Sequence, residues 1–154
     1  MNITIAAIPD SFLHRVRSEG IDDQGQAVKR VRASGGEPVR DVLRRVEPGE
    51  ELILGSFTPF AKSGPYKEFG PIFVLANPSD ETTRRDALPD AYFNERFVIR
   101  AYSHDEAILD AAMVTKPEAQ ETIDRFLTRP DVAFLHARFP TYGCFACRID
   151  RVSS

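Results

Sequence analysis

The sequence predicts an α+β fold in which two to three short helices pack on a mainly antiparallel sheet. Segments typical of strands outnumber segments typical of helices, and most of the strand-like segments are joined by short, hairpin-like links. The sequence shows no internal repeat and no low-complexity segment. With 154 residues the chain is long enough for one hydrophobic core, so we expect residues 1–154 to form a single domain.

The N-terminal third is expected to alternate strands with short helices. Residues 2–8 alternate as a first strand, and a short helix then runs from Pro9 to a C-cap at Gly20. Residues 27–32 are expected to form an edge strand whose basic side chains discourage further pairing. From residue 38 to 46, apolar residues recur at i, i+3, i+4 and i+7, which predicts a second short helix.

The rest of the chain is richer in strands and contains the clearest helix. Three strands are indicated by apolar runs between turn residues, at 51–57, 71–76 and 96–102. Residues 107–114 fit a strand or a helix. Thr115 and Glu118 have the spacing of a capping box, which predicts that a helix begins there and ends before Pro130.

The connection TPFAKSGPYKEFG, between the strands at 51–57 and 71–76, is unusually rich in aromatic residues. Loops of this length inside a compact domain are often functional or are held by their own side chains. Phe60, Tyr66 and Phe69 are each large enough to bury a substantial apolar area. We therefore expect the loop to fold back on the sheet.

The C-terminal segment DVAFLHARFPTYGCFACRIDR predicts a final β-hairpin. Alternation along the first strand places His136 and Arg138 on the same face. A four-residue loop closed by Gly143 in the left-handed conformation would pair His136 with Cys147. A three-residue loop would instead bring Cys144 to the face that His136 occupies, because the register would slip.

Composition excludes several classes of function. The net charge of −3 argues against a general nucleic-acid binder. No apolar run approaches the length of a membrane span, and the N-terminus lacks the pattern of a signal peptide. Two cysteines three positions apart cannot form a disulfide framework, so we expect a reducing cytoplasm. The sequence leaves the oligomeric state open.

Several motifs are similar to those of a known family. They are EPGEELIL with SFTPF, GPYKEFGPIFV, RAY and VAFLHARFPTYGCFACRIDR. Over roughly residues 39–151 the chain resembles the bacterial family called domain of unknown function 1203, and this resemblance implies no mechanism. Where members of that family often carry a run similar to Cys-Arg-His-Cys-Leu-Arg, this chain has VRDVLR at 39–44. Valines therefore stand where that run has cysteines, so a metal or redox role of such a pair is not expected here.

The two cysteines of this chain have CxxC spacing, but redox pairs of this type lie at a helix N-terminus. On a strand, Cys144 and Cys147 would point to opposite faces. A zinc site would need further ligands, and none of the three histidines stands at motif spacing. We therefore expect no metal and no cofactor.

Two classes of function remain open from the sequence. The preferred one is a small binding module for an anionic or polar small molecule. Its predicted ligand-binding residues are Arg44, Tyr66, Glu68, Arg100, Arg138, Tyr142 and Arg148. The alternative is a small enzyme whose candidate catalytic residues are His136, with Glu68 or Cys144 as acid, base or nucleophile.

The arginines of the final hairpin carry one structural expectation. Arg138 and Arg148 lie in strands that are otherwise apolar, where a charge must be paired or must face a cavity. We expect Glu68 or Tyr66 to lie within reach of one of these arginines or of Arg100.

Overall fold

The computed structural model describes residues 1–153, which divide into two compact units. The first unit contains Met1–Ala6, Pro59–Glu68 and the chain from Arg85 onward. The second unit contains Ala7–Thr58 and Phe69–Arg84. The α+β class predicted from the sequence is confirmed, whereas the expectation of a single domain stays a prediction. No helix within residues 1–153 is long and apolar enough to cross a membrane.

The elements are numbered in chain order. The strands are β1 (Ile3–Ile5), β2 (Lys29–Arg32), β3 (Pro38–Val39), β4 (Arg44–Arg45), β5 (Glu51–Phe57), β6 (Gly70–Leu75), β7 (Arg96–Tyr102), β8 (Ile108–Thr115), β9 (Phe134–Arg138) and β10 (Phe145–Arg151). The helical segments are α1 (Asp10–His14), a π-helical turn that continues it (Arg15–Glu19), a 3₁₀ turn (Asp90–Tyr92) and α2 (Lys116–Thr128). The strands predicted at 51–57 and 96–102 are confirmed to the residue.

The sheet of the first unit has the strand order β1-β10-β9-β7-β8, and all of its pairs are antiparallel. The segment 107–114, which fitted strand or helix in the sequence, is the strand β8. Helix α2 follows β8 directly and contacts β7, β8 and β9 through its buried face. The predicted capping box is present: the carboxylate of Glu118 accepts the Thr115 N–H at 3.0 Å, and the side chain of Thr115 accepts a backbone N–H in return.

The sheet of the second unit has the order β2-β5-β6-β3-β4, with one parallel pair between β3 and β6. The predicted helix over residues 38–46 is wrong, because β3 and β4 form a short antiparallel hairpin there. The N–H of Leu43 donates to the carbonyl of Val39 at 3.0 Å, which closes a single helix-like turn. Leu43 has a φ of 55°, in the left-handed region, so the turn is not continued.

The final hairpin is closed by the predicted four-residue loop. Gly143 has a φ of 72°, and its N–H donates to the Phe139 carbonyl at 2.8 Å. The N–H of Phe139 donates in turn to the Cys144 carbonyl at 3.0 Å. These bonds fix the separation of β9 and β10 at the turn, where glycine adopts the left-handed conformation without the steric cost of a side chain.

We expect the substitution Thr115→Ala to lower the free energy of unfolding by about 1 kcal/mol, because it removes half of the capping box. Urea denaturation measures this loss. Thr128→Ala, in the last turn of α2, is the matched control: its hydroxyl donates to the Asp124 carbonyl at 2.7 Å, a local bond of little net value. Equal losses in both variants would contradict the role of the cap.

Candidate functional site

A row of three polar side chains crosses the middle of the first unit's sheet. His136 on β9 lies opposite Arg100 on β7 and opposite Arg148 on β10. The predicted pairing of His136 with Cys147 is therefore wrong. A β-bulge between Phe145 and Cys147 adds one residue to β10 and shifts the register by one position. The bulge brings an arginine, in place of a thiol, beside the histidine.

The imidazole of His136 is enclosed by aromatic rings. The ring centroids of Tyr102, Phe145, Phe60 and Phe134 lie 4.6, 5.0, 5.2 and 5.2 Å from its own. The side chain has no exposed surface, and neither ring nitrogen has a hydrogen-bond partner among the described residues 1–153. Burial lowers the pKa of His136 well below its usual value, and the three nearby arginines lower it further. The imidazole is therefore neutral at neutral pH.

Arg138 is buried two residues along β9 and is only 4% exposed. Its Nη1 donates to the Gly143 carbonyl at 3.2 Å, and its Nη2 forms an ion pair with Glu68. Its Nε, like the hydroxyl of the fully buried Tyr102, has no hydrogen-bond partner within the described part of the chain. Burial lowers the pKa of Arg138, whereas the nearby Tyr102 hydroxyl and the Glu68 carboxylate oppose that shift. The guanidinium is thus held in the core with part of its donor capacity unused.

Glu68 joins two of these arginines. Its Oε1 accepts from Arg100 Nη1 at 3.2 Å and also pairs with Arg138. The predicted contact between Glu68 and an arginine of the sheet is therefore confirmed. Arg148 is held separately: it donates to the Asp150 carboxylate at 2.8 Å, and its guanidinium lies 4.0 Å above the ring of Phe134. Its charge already has a local partner.

The segment Pro59–Glu68 is anchored at its start. Phe60 is 5% exposed and packs edge-on against Tyr102, with centroids 5.4 Å apart. The buried carboxylate of Glu106 accepts the backbone N–H groups of Ala61, at 3.1 Å, and of Lys62. Glu106 lies in the link between β7 and β8 with a φ of 64°. This clamp sets the position from which the segment runs to Glu68.

Aromatic burial in the loop is less complete than the sequence predicts. The expectation that the aromatic residues fold back is confirmed for Phe60, whereas Tyr66 and Phe69 are 43% and 44% exposed. Phe60 lies next to the Glu106 clamp, whereas Tyr66 follows a run of exposed residues that begins at Ala61. Tyr66 is therefore available to solvent.

The remaining predicted site residues lie elsewhere. Tyr142 is 88% exposed at the tip of the final hairpin, and the partly buried Cys144 has its Sγ 3.8 Å from the Tyr142 carbonyl. Arg44 belongs to the second unit, where it pairs with Glu50 at 2.9 Å and with Glu81 at 2.7 Å. These two carboxylates raise its pKa.

The sequence interpretation missed Tyr102 and Glu106. Tyr102 stands two positions after Arg100, so the period-two alternation of β7 was a signal that could have found it. Glu106 gave no such signal, because its partners are backbone groups far away in the chain. No group of three or more histidine, cysteine or acidic residues within residues 1–153 is placed to bind a metal ion.

One comparison with known proteins covers all the residues of this cluster. The model of the family described as "Protein of unknown function (DUF1203)" matches residues 36–151, which is most of the chain. Among curated proteins and among solved structures, none matches the chain.

We expect His136 to make the stability of the protein fall as the pH is lowered. In the unfolded chain a histidine binds a proton with a pKa of about 6.5, whereas in the folded protein this pKa is lowered. Below about pH 6.5 the unfolded state binds more protons, so the free energy of unfolding decreases by up to about 1.4 kcal/mol per pH unit. Above that pH the contribution is fully present.

The variant His136→Leu lacks the imidazole that binds this proton in the unfolded chain. Its free energy of unfolding should therefore fall less steeply between about pH 7.5 and about pH 5.5. Urea denaturation across that range measures both curves. His104→Gln, at an exposed histidine, is the control and should follow the wild type. Parallel curves for the wild type and His136→Leu would contradict the prediction.

We expect Glu106→Gln to loosen the start of the loop. The neutral amide weakens two charge-assisted bonds, at a cost of about 1–3 kcal/mol. Hydrogen exchange at the amides of Ala61 and Lys62 should accelerate. Asp105→Asn is the control, because its side chain is 96% exposed and only approaches the Lys62 ammonium at 3.7 Å. Unchanged exchange in Glu106→Gln would show that the clamp does not hold the loop.

Proposed function

We propose that this chain, which belongs to the family of proteins of unknown function described as DUF1203, binds a small anionic molecule at Arg100, Arg138 and His136. The observation that supports this most strongly is the excess of cationic donors there. Two guanidinium groups share the single carboxylate of Glu68, beside buried polar atoms that have no partner among residues 1–153. We further propose that the protein works in a bacterial cytoplasm, where its free thiols stay reduced.

Arginine suits this task because its planar guanidinium matches the oxygens of carboxylates and phosphates. The side chain of Arg100 is 29% exposed, so an anion can reach it from solvent. The guanidinium of Arg138 is buried, and a charged hydrogen bond is stronger in such a low-dielectric environment than in water. Arg100 is therefore the arginine that an anion can reach from solvent, and Arg138 is the one that can form the stronger hydrogen bond with it.

Neutral His136 complements the two arginines. Because its pKa is lowered, it adds a hydrogen-bond donor and an acceptor without adding a further positive charge. A general base would need a pKa near the working pH and a group that orients the ring. The pKa of His136 is lowered away from neutrality, and the ring has no orienting hydrogen-bond partner among the described residues. These observations favour a binding module over an enzyme.

The proposal is tested by isothermal titration calorimetry at low salt. The probes are acetate, succinate, citrate and inorganic phosphate, added to the wild type, to Arg100→Gln and to Arg32→Gln. We expect at least one probe to bind the wild type and to bind Arg100→Gln at least about tenfold more weakly, because a charged hydrogen bond is lost. Arg32 is the control: its side chain is 70% exposed and it lies 3.5 Å from Glu51 in the second unit.

Binding should also weaken as salt is added, because the partly exposed arginine is screened. Two results would overturn the proposal. One is that none of the four probes binds the wild type. The other is that Arg100→Gln binds them as tightly as the wild type does.

A further inference from the structure

We infer that Glu68 occupies the place of the ligand's own carboxylate, so that the ligand is a small carboxylic acid that displaces this side chain. The inference rests on the proposed function and deepens it. It changes the role of Glu68 from a ligand-binding residue to an internal competitor. It also assigns the chemical class of the ligand.

The existing contact already has the geometry of a carboxylate site. A single oxygen of Glu68 lies between Arg100 Nη1, at 3.2 Å, and Arg138 Nη2. The two guanidinium groups therefore already converge on one carboxylate oxygen. An incoming carboxylate would find the same donors at the same separation, with no rearrangement of β7 or β9.

The two partners in this contact differ in burial. The side chain of Glu68 is 43% exposed, whereas that of Arg138 is 5% exposed. A partly exposed ion pair is worth little, because water screens it and competes for both groups. A buried guanidinium, in contrast, is costly to leave without a negative partner, so Arg138 favours any state in which a carboxylate lies beside it. The carboxylate is thus the exchangeable member of the pair.

The chain that leads to Glu68 can move locally. The clamp formed by Glu106 and the burial of Phe60 hold only the start of the segment. Residues 63–66, beyond the clamp, are exposed, so they have few contacts to lose. The side chain of Glu68 can therefore leave the arginines while the sheet and the clamp stay in place.

Two buried polar atoms of the cluster bear on the second functional group of the ligand. Arg138 Nε is a donor and the Tyr102 hydroxyl can donate or accept, and both are buried without a hydrogen-bond partner among residues 1–153. An acceptor group placed beside them would accept from the Nε–H and from the hydroxyl. A ligand with a second carboxylate supplies one, whereas the monocarboxylate of Glu68 does not. We therefore assign the site to a small dicarboxylate.

The experiment compares the affinity of the wild type and of Glu68→Gln for succinate, acetate and inorganic phosphate by calorimetry. If Glu68 lies on its arginines about nine-tenths of the time, removing its charge raises the apparent affinity for succinate about tenfold. Acetate should gain the same factor from a weaker starting affinity, because it competes with Glu68 in the same way but has no second carboxylate. Glu81→Gln is the matched control, since Glu81 pairs with an arginine in the second unit and is 36% exposed.

Thermal denaturation confirms that each variant is folded before titration. If Glu68→Gln binds succinate as the wild type does, or more weakly, Glu68 is no competitor and the inference fails while the proposed function stands. If phosphate gains and succinate does not, the assigned class is wrong. If neither protein binds any of the three probes, both the proposed function and this inference fail.

Discussion

The burial of the Arg138 guanidinium is the constraint on which the rest of the site depends. A charge inside a sheet costs several kcal/mol unless it is paired and hydrogen-bonded. Arg138 meets this need through the Gly143 carbonyl, which lies in the turn of the final hairpin, and through Glu68, which lies at the end of a loop. One side chain therefore couples the hairpin turn, the loop and the centre of the sheet. The position of Glu106 matters for the same reason, because it fixes where that loop begins.

The neutrality of His136 follows from the same charge distribution. A protonated imidazole would be a further cation in direct register with Arg100 and Arg148, and in the same strand as Arg138. Burial and these like charges all act in one direction on its pKa, which is lowered. Because the guanidinium groups stay charged at any physiological pH, the charge of the site near neutrality is set by arginine and carboxylate alone. The histidine contributes polarity and leaves the net charge unchanged.

The sequence predicted those features of the site that follow from local periodicity. Alternation in β9 placed His136 and Arg138 on one face, and the rule that a buried charge needs a partner identified Glu68. Prediction from the sequence failed where the position of a side chain depends on the geometry of the backbone. The bulge in β10 exchanged Cys147 for Arg148 opposite the histidine, and the single turn at Leu43 imitated helical spacing in a hairpin. Neither a bulge nor a left-handed leucine leaves a periodic signal in a single sequence.

The buried polar atoms of the cluster bear on why a protein would keep such a core. Replacing polar partners by apolar side chains of similar shape is often neutral or stabilising, so stability alone does not favour keeping Tyr102 and His136 without hydrogen bonds. Buried polar groups without hydrogen-bond partners concentrate at functional sites, where a less stable arrangement of side chains serves binding. Under the proposed function, a ligand that supplies the missing partners would recover the desolvation cost that folding left in place. The same atoms that weaken the fold would then strengthen the complex, and they would favour ligands that reach beyond the position of the Glu68 carboxylate.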